Sequence, residues 1–152
     1  MMQAEEYLEK IPMWTREKHS LTDIRAFLHE MGDPDRKLSI IHVAGTNGKG
    51  SVCAFLTSLY RNAGFRTGTF ISPHLVTVRE RFLLNNEMVS PGKLQAAFET
   101  VLETVNIMKE KGYSHPSYFE FLFIWQWRCL QMNAGACDLE PGWEPPGRYQ
   151  RG

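Results

Sequence analysis

The stretch Gly45-Thr46-Asn47-Gly48-Lys49-Gly50-Ser51 and its flanks constrain this chain more than any other feature. It follows LSIIHVA, residues 38–44, a short apolar run rich in β-branched residues. Such a run reads as a strand buried on both faces of a parallel sheet. It precedes SVCAFLTSLYRNAG, in which Val52, Phe55, Leu56, Leu59 and Tyr60 recur at helical spacing and Gly64 supplies a C-cap. RTGTFIS, residues 66–72, is the next candidate strand. Strand, glycine-rich turn, helix and strand make a βαβ unit with a right-handed crossover. The predicted fold class is therefore α/β: an incomplete P-loop-type parallel sheet flanked by helices.

The loop carries its own chemistry. Glycines let backbone N–H groups turn inward and approach a polyphosphate without steric conflict. The helix that follows points its positive end at the same spot. Lys49 adds a full positive charge within reach of the β- and γ-phosphates, and Ser51 offers a hydroxyl to a nucleotide-bound Mg²⁺, a hard cation that prefers oxygen. The spelling departs from GxxxxGK[ST], because two residues separate Gly45 from Gly48 and Gly50 stands between Lys49 and Ser51. An ordinary glycine-rich turn is the competing reading; a buried strand before it and an amphipathic helix after it favour phosphate.

Helices are predicted elsewhere over residues 4–11 and 21–31, the second with Leu21, Ile24, Phe27, Leu28 and Met31 on its apolar face. Ser90 as N-cap and Pro91 at the first helical position start another, running to about residue 109, with Leu94, Phe98, Val101, Leu102 and Val105 buried. A further helix begins at Tyr118. Seventeen basic residues balance seventeen acidic ones, so net charge supports neither a nucleic-acid nor a membrane partner. No apolar run reaches the length of a bilayer span, and the acidic opening MMQAEEYLEK lacks the character of a signal or transit peptide, which makes the cytoplasm the expected location. Cys53, Cys129 and Cys137 form no CxxC pair, and Cys53 is expected to be a buried structural thiol. The histidines lack metal-ligand spacing.

HVAGTNGKGS resembles the ATP-binding loop of the Mur ligase superfamily, and its GKGS ending is similar to the folate branch, the folylpolyglutamate and dihydrofolate synthases. FISPHLVTVRERF, residues 70–82, resembles the Ser-Pro-His-Leu loop of that branch, and SYFEFL, residues 117–122, the segment lining its pterin pocket. Gly50, where cell-wall ligases typically carry Thr, and the SPHL loop separate the chain from that other branch. The resemblance implies that Gly45, Thr46, Asn47, Gly48, Lys49, Gly50 and Ser51 hold ATP, with Lys49 as the catalytic cation. It implies Ser51 and Ser72 as Mg²⁺ ligands, with Glu140 a further candidate, and His74 as a phosphate contact or a loop-shaping residue. Ser117, Tyr118, Phe119 and Glu120 would meet the pterin, the aromatics by stacking and Glu120 by accepting N–H bonds, although Phe119 and Phe121 also fit a plain core role. Residues 18–21 match a segment bordering the same pocket. The implied activity is ATP-dependent amide formation: a carboxylate of dihydropteroate or of a folate is phosphorylated, and the amine of L-glutamate attacks the acyl phosphate. The implied full-length protein is a monomer with small-molecule substrates.

Two regions follow from this reading, an N-terminal part of the ATP-binding domain over residues 1–123 and an aberrant tail over residues 124–152. From Trp125 onward the chain turns rich in Trp, Pro, Gly and Arg and loses evident periodicity. Codons permitted by residues 143–152, read one nucleotide later, spell GNRLDATNA, which resembles the family's GLGGRLDATN. A partly out-of-frame tail is therefore expected, on a fragment without ligase activity of its own. A non-catalytic nucleotide-binding module and another Mur-type amino-acid ligase are the alternatives.

Overall fold

The computed structural model describes residues 4–12 and 20–133. Five helices surround a small sheet among these residues: α1 (Ala4–Lys10), α2 (Leu21–Glu30), α3 (Lys49–Asn62), β1 (Gly68–Phe70), β2 (Phe82–Leu84), β3 (Glu87–Met88), α4 (Pro91–Glu110) and α5 (Tyr118–Asn133).

The helix ends fall where local chemistry puts them. Ser20 caps α2 in a reciprocal box with Asp23, and the Ser90 hydroxyl accepts from the Lys93 amide at the start of α4, with Pro91 behind it. α3 closes on Gly64 at φ +87°, where the Gly64 and Phe65 amides bond back to the carbonyls of Arg61 and Tyr60. The Tyr60 and Phe65 rings meet at 5.6 Å across that stop, the apolar contact such a motif favours.

The sheet differs from the prediction. It is three-stranded in the order β1-β2-β3 and antiparallel throughout, with Phe70 opposite Phe82 and Leu84 opposite Glu87. Asn85 and Asn86, both at positive φ, form the two-residue turn between β2 and β3, as a type I′ hairpin requires. The Asn-Asn pair between apolar runs was the sequence signal for it. Residues 38–44 form no strand. A strand buried on both faces needs neighbours on both edges, and the described residues supply none. The described residues thus form a mixed helix-and-sheet unit of α/β type, and no parallel pairing is formed among them.

The core lies between β1–β2 and helices α1, α4 and α5. Phe82 meets Trp125 at 5.0 Å and Phe70 at 5.4 Å, while Tyr7, Phe98 and Phe121 close the cluster. The Trp125 indole N–H donates to the Leu94 carbonyl at 3.3 Å. On α4, Leu94, Phe98, Val101 and Val105 are buried as their spacing predicts, and Leu102 packs on the cluster from its edge. On α2 only Phe27 and Leu28 are buried, and Leu21, 91% exposed, lies off the core altogether.

α5 corrects the expected loss of periodicity after Phe123. It continues as helix through Asn133 and sends Ile124, Trp125 and Cys129 into the core. Burial pushes the Cys129 thiol up to about 12, the behaviour of an inert structural cysteine. Cys53, expected to be buried, is instead half-buried on α3.

Candidate phosphate-binding site

Gly48 is the N-cap of α3 and sits at φ +76°, a conformation that disfavours any residue with a Cβ. It lets the loop turn sharply enough for Lys49 to open the helix. Residues 45–51 are all exposed, so their backbone groups are open to a ligand. The Lys49 ammonium curls back to donate to the Gly45 carbonyl at 2.6 Å and the Thr46 carbonyl at 3.3 Å. These contacts hold its charge over the loop. Ser51 lies in the first turn of α3 with its hydroxyl side exposed.

α3 is fastened to the sheet through a hydroxyl pair. Thr57, the one residue of α3 that is buried, donates to the Cys53 carbonyl at 2.8 Å and meets the Thr69 hydroxyl of β1 at 2.6 Å. Residues 63–67 join α3 to β1. From that contact Ser51 lies roughly 9 Å toward the start of the helix, at 1.5 Å per residue. Ser72, the second candidate Mg²⁺ hydroxyl, follows β1 by two residues and is exposed.

The loop after β1 is held by residues that sequence reasoning did not single out. The Glu80 carboxylate accepts backbone N–H bonds from Leu75 at 2.7 Å, Val76 at 2.9 Å and Thr77 at 2.9 Å. These donors, Leu75 foremost and then Thr77 and Val76, hold its pKa below the ordinary glutamate value. Thr77 and Glu80 form a capping box, T-x-x-E, which is legible in the sequence. Arg81 is buried, and its Nε–H donates to His74 Nδ1 at 2.7 Å. Neutral His74 then carries its proton on Nε2. Of the two roles expected for His74, loop shaping is the one with a visible partner.

Ser117, Tyr118, Phe119 and Glu120 lie elsewhere, at the N-terminus of α5 against the end of α1. The Tyr118 amide donates to the Pro12 carbonyl at 3.2 Å. The Ser117 amide and hydroxyl both donate to Glu120, at 2.7 and 2.8 Å, so this carboxylate caps its own helix. The Tyr118 and Phe119 rings meet edge to face at 5.4 Å, and Phe119 stands 47% exposed whereas Phe121 is buried in the core. Glu140 lies outside the described residues, as do residues 18 and 19 of the segment 18–21, whereas Ser20 caps α2 and Leu21 opens it. Among the described residues no group of three His, Cys, Asp or Glu side chains is placed to hold a metal ion, and no helix is long and apolar enough to cross a membrane.

No protein-family model matches the chain. It is 44% identical over 98 residues to a folylpolyglutamate synthase of Arabidopsis thaliana, covering 62% of this chain and 15% of that protein. It is 34% identical over 105 residues to the dihydrofolate synthase/folylpolyglutamate synthase of Bacillus subtilis, covering 69% of this chain and 24% of that protein. Among solved structures, the Mycobacterium tuberculosis folylpolyglutamate synthase complexed with ADP superposes with a TM-score of 0.76 at 30% identity, over 86% of this chain and 29% of that one. The chain thus spans about a quarter or less of the length of these curated relatives.

Proposed function

Because the chain belongs to the folylpolyglutamate synthase/dihydrofolate synthase family, of which it represents a part, we propose that it is the phosphate-gripping portion of an ATP-dependent ligase that adds L-glutamate to a folate or to dihydropteroate. The observation that carries this reading is the exposed glycine loop that Gly48 turns at φ +76° into the start of α3, with the Lys49 ammonium poised over it. The family solution with ADP bound supports the nucleotide as its ligand.

In this reading Gly45, Thr46, Asn47, Gly48 and Gly50 present backbone N–H groups to the phosphates. Lys49 gives up its carbonyl contacts for phosphate oxygens, and its charge offsets what accumulates there during phosphoryl transfer. Ser51 and Ser72 are hard oxygen donors that suit Mg²⁺, an ion that fills its other positions with phosphate oxygens and water. When bound it would neutralise phosphate charge. Tyr118 and Phe119 offer stacking faces to a pterin. Glu120 serves that ring only by sharing the oxygens that now cap α5. The amide-forming step needs glutamate positioned as well, and we assign that to the part of the family's length that this chain does not span. A cytoplasmic location, a monomeric state and small-molecule partners belong to the same proposal. The division into an N-terminal part of the ATP-binding domain and an aberrant tail belongs to the same proposal, and α5 runs across the boundary expected at residue 123, from Tyr118 to Asn133.

The test is calorimetric titration of the purified chain with Mg-ATP. Saturable binding at one site is expected. Lys49→Met removes a charge-assisted bond worth about 1.5–3 kcal/mol, so affinity should fall roughly 10- to 100-fold. Unchanged affinity in Lys49→Met and Gly48→Val would sink the assignment. Glutamate-dependent ADP release by the chain alone would overturn the division of labour.

A further inference from the structure

Arg81, 5% exposed, is the one charged residue that is buried among the described residues. A buried cation is ordinarily paired with a carboxylate. Arg81 is not: none of the ion pairs among the described residues includes it. Glu80, its neighbour in sequence, spends both carboxylate oxygens on the amides of Leu75, Val76 and Thr77. The hydrogen bond of the Arg81 side chain runs from Nε–H to His74 Nδ1 at 2.7 Å, and that acceptor carries no charge. The sealed polar atoms that lack a partner lie on other residues, Asp35, Trp127 and Arg128 among them, so the terminal nitrogens of Arg81 are open to solvent. Beside them His74 is half-buried and keeps Nε2–H as a donor.

We propose that Arg81 and His74 form an anion subsite for the carboxylate of an aromatic acid, the acceptor that the ligase reading above requires and on which this inference rests. The planar guanidinium fork matches a carboxylate with parallel N–H···O bonds, and His74 Nε2–H adds a further donor. The rim decides between a carboxylate and a polyphosphate. Leu75 and Val76 follow His74 directly and are 91 and 89% exposed, while Glu80 takes up their amides. A polyphosphate is served by open amides, as in the glycine loop, whereas an aryl ring buries apolar surface on such side chains. α1 joins this loop to the segment assigned to the pterin. The Thr77 hydroxyl donates to Glu5 at 2.8 Å, and the Tyr118 amide donates at 3.2 Å to the Pro12 carbonyl just past the helix end. An acid held at Arg81 by its carboxylate has Tyr118 and Phe119 in the same unit for its far ring.

The test titrates the full chain with pteroate and with its carboxamide analogue, which keeps the rings and loses the charge. Pteroate should bind about 10-fold more tightly or better, and this preference should shrink to about 2-fold or less in Arg81→Gln. In ¹H–¹⁵N spectra the Arg81 Nε–H signal, assigned through its own side chain, should move with pteroate and stay in place with the carboxamide. That readout needs only the unaltered chain, so it stands even where a variant at this buried position fails to fold. Absent binding of pteroate, equal affinity for acid and carboxamide, a preference that survives in a folded Arg81→Gln, or an Arg81 signal indifferent to pteroate would each overturn the subsite. An Arg81 signal that moves with inorganic phosphate or Mg-ATP and not with pteroate would overturn the aromatic acid in favour of a phosphate. Mg-ATP that fails to bind while the acid preference persists would sink the nucleotide assignment and support this one, which keeps the two separate.

Discussion

Glu80 decides the shape of the loop between β1 and β2 by gathering three amide donors on one carboxylate. Its folded pKa lies below the ordinary value of 4.5, so its contribution to loop order is fully present above that value and is lost as pH falls through the lower folded pKa. Glu80→Gln should free the amides of Leu75, Val76 and Thr77, because a carboxamide has one acceptor oxygen and turns donors toward donors. Amide exchange at these positions should therefore be faster in the variant near neutral pH and converge with wild type in acid. An equal difference at every pH would assign the effect to packing instead of charge. The T-x-x-E box that sets this up was readable from the sequence, as was the whole phosphate loop. The Arg81–His74 bond was not, because it joins residues across a loop whose path no spacing rule gives.

At the scale of elements, helix limits were legible because caps are local: Ser20, Gly64, Ser90 and Pro91 each act on backbone groups within a few residues. Strand pairing was not, because it depends on which neighbours are present. β1 shows how tight the non-local fit becomes. A Cβ built on Gly68 would stand 2.1 Å from the terminal Cδ2 of Leu130 on α5 and 3.4 Å from its Cγ. Gly68→Ala should therefore cost about 1–3 kcal/mol, toward the lower end if the half-buried Leu130 can swing its methyl aside. Chemical denaturation of Gly68→Ala, Leu130→Ala and the double variant measures this. The double variant should be more stable than the sum of the single losses predicts, and strict additivity would show that the contact does not limit β1–α5 packing.

For the molecule as a whole, the question is where the folded unit stops, and the sequence reading placed that limit too early. Trp, Gln and Arg after Phe123 suggest an aperiodic stretch, yet Phe121, Trp125 and Cys129 recur every four residues on one side of α5, with Ile124 beside them. Gln126 is also buried, which masked the stripe by placing a polar residue within it. Energetics then sets what a truncation at the expected boundary costs. A chain ending at residue 123 lacks Ile124 and Trp125, both 0% exposed, and Cys129 at 2%. Loss of a buried Trp alone costs about 3–5 kcal/mol and of an Ile about 2–5 kcal/mol. A domain of this size has roughly 5–15 kcal/mol in total. With its largest aromatic removed, Phe82 and Phe98 would face solvent where Trp125 now covers them. The chain ending at 123 should therefore lack the cooperative melt of the full 152 residues. Near-ultraviolet circular dichroism, which reports fixed aromatic packing, measures both. A cooperative transition in the shorter chain would mean that α1, α2, α4 and the sheet form a core without the second half of α5.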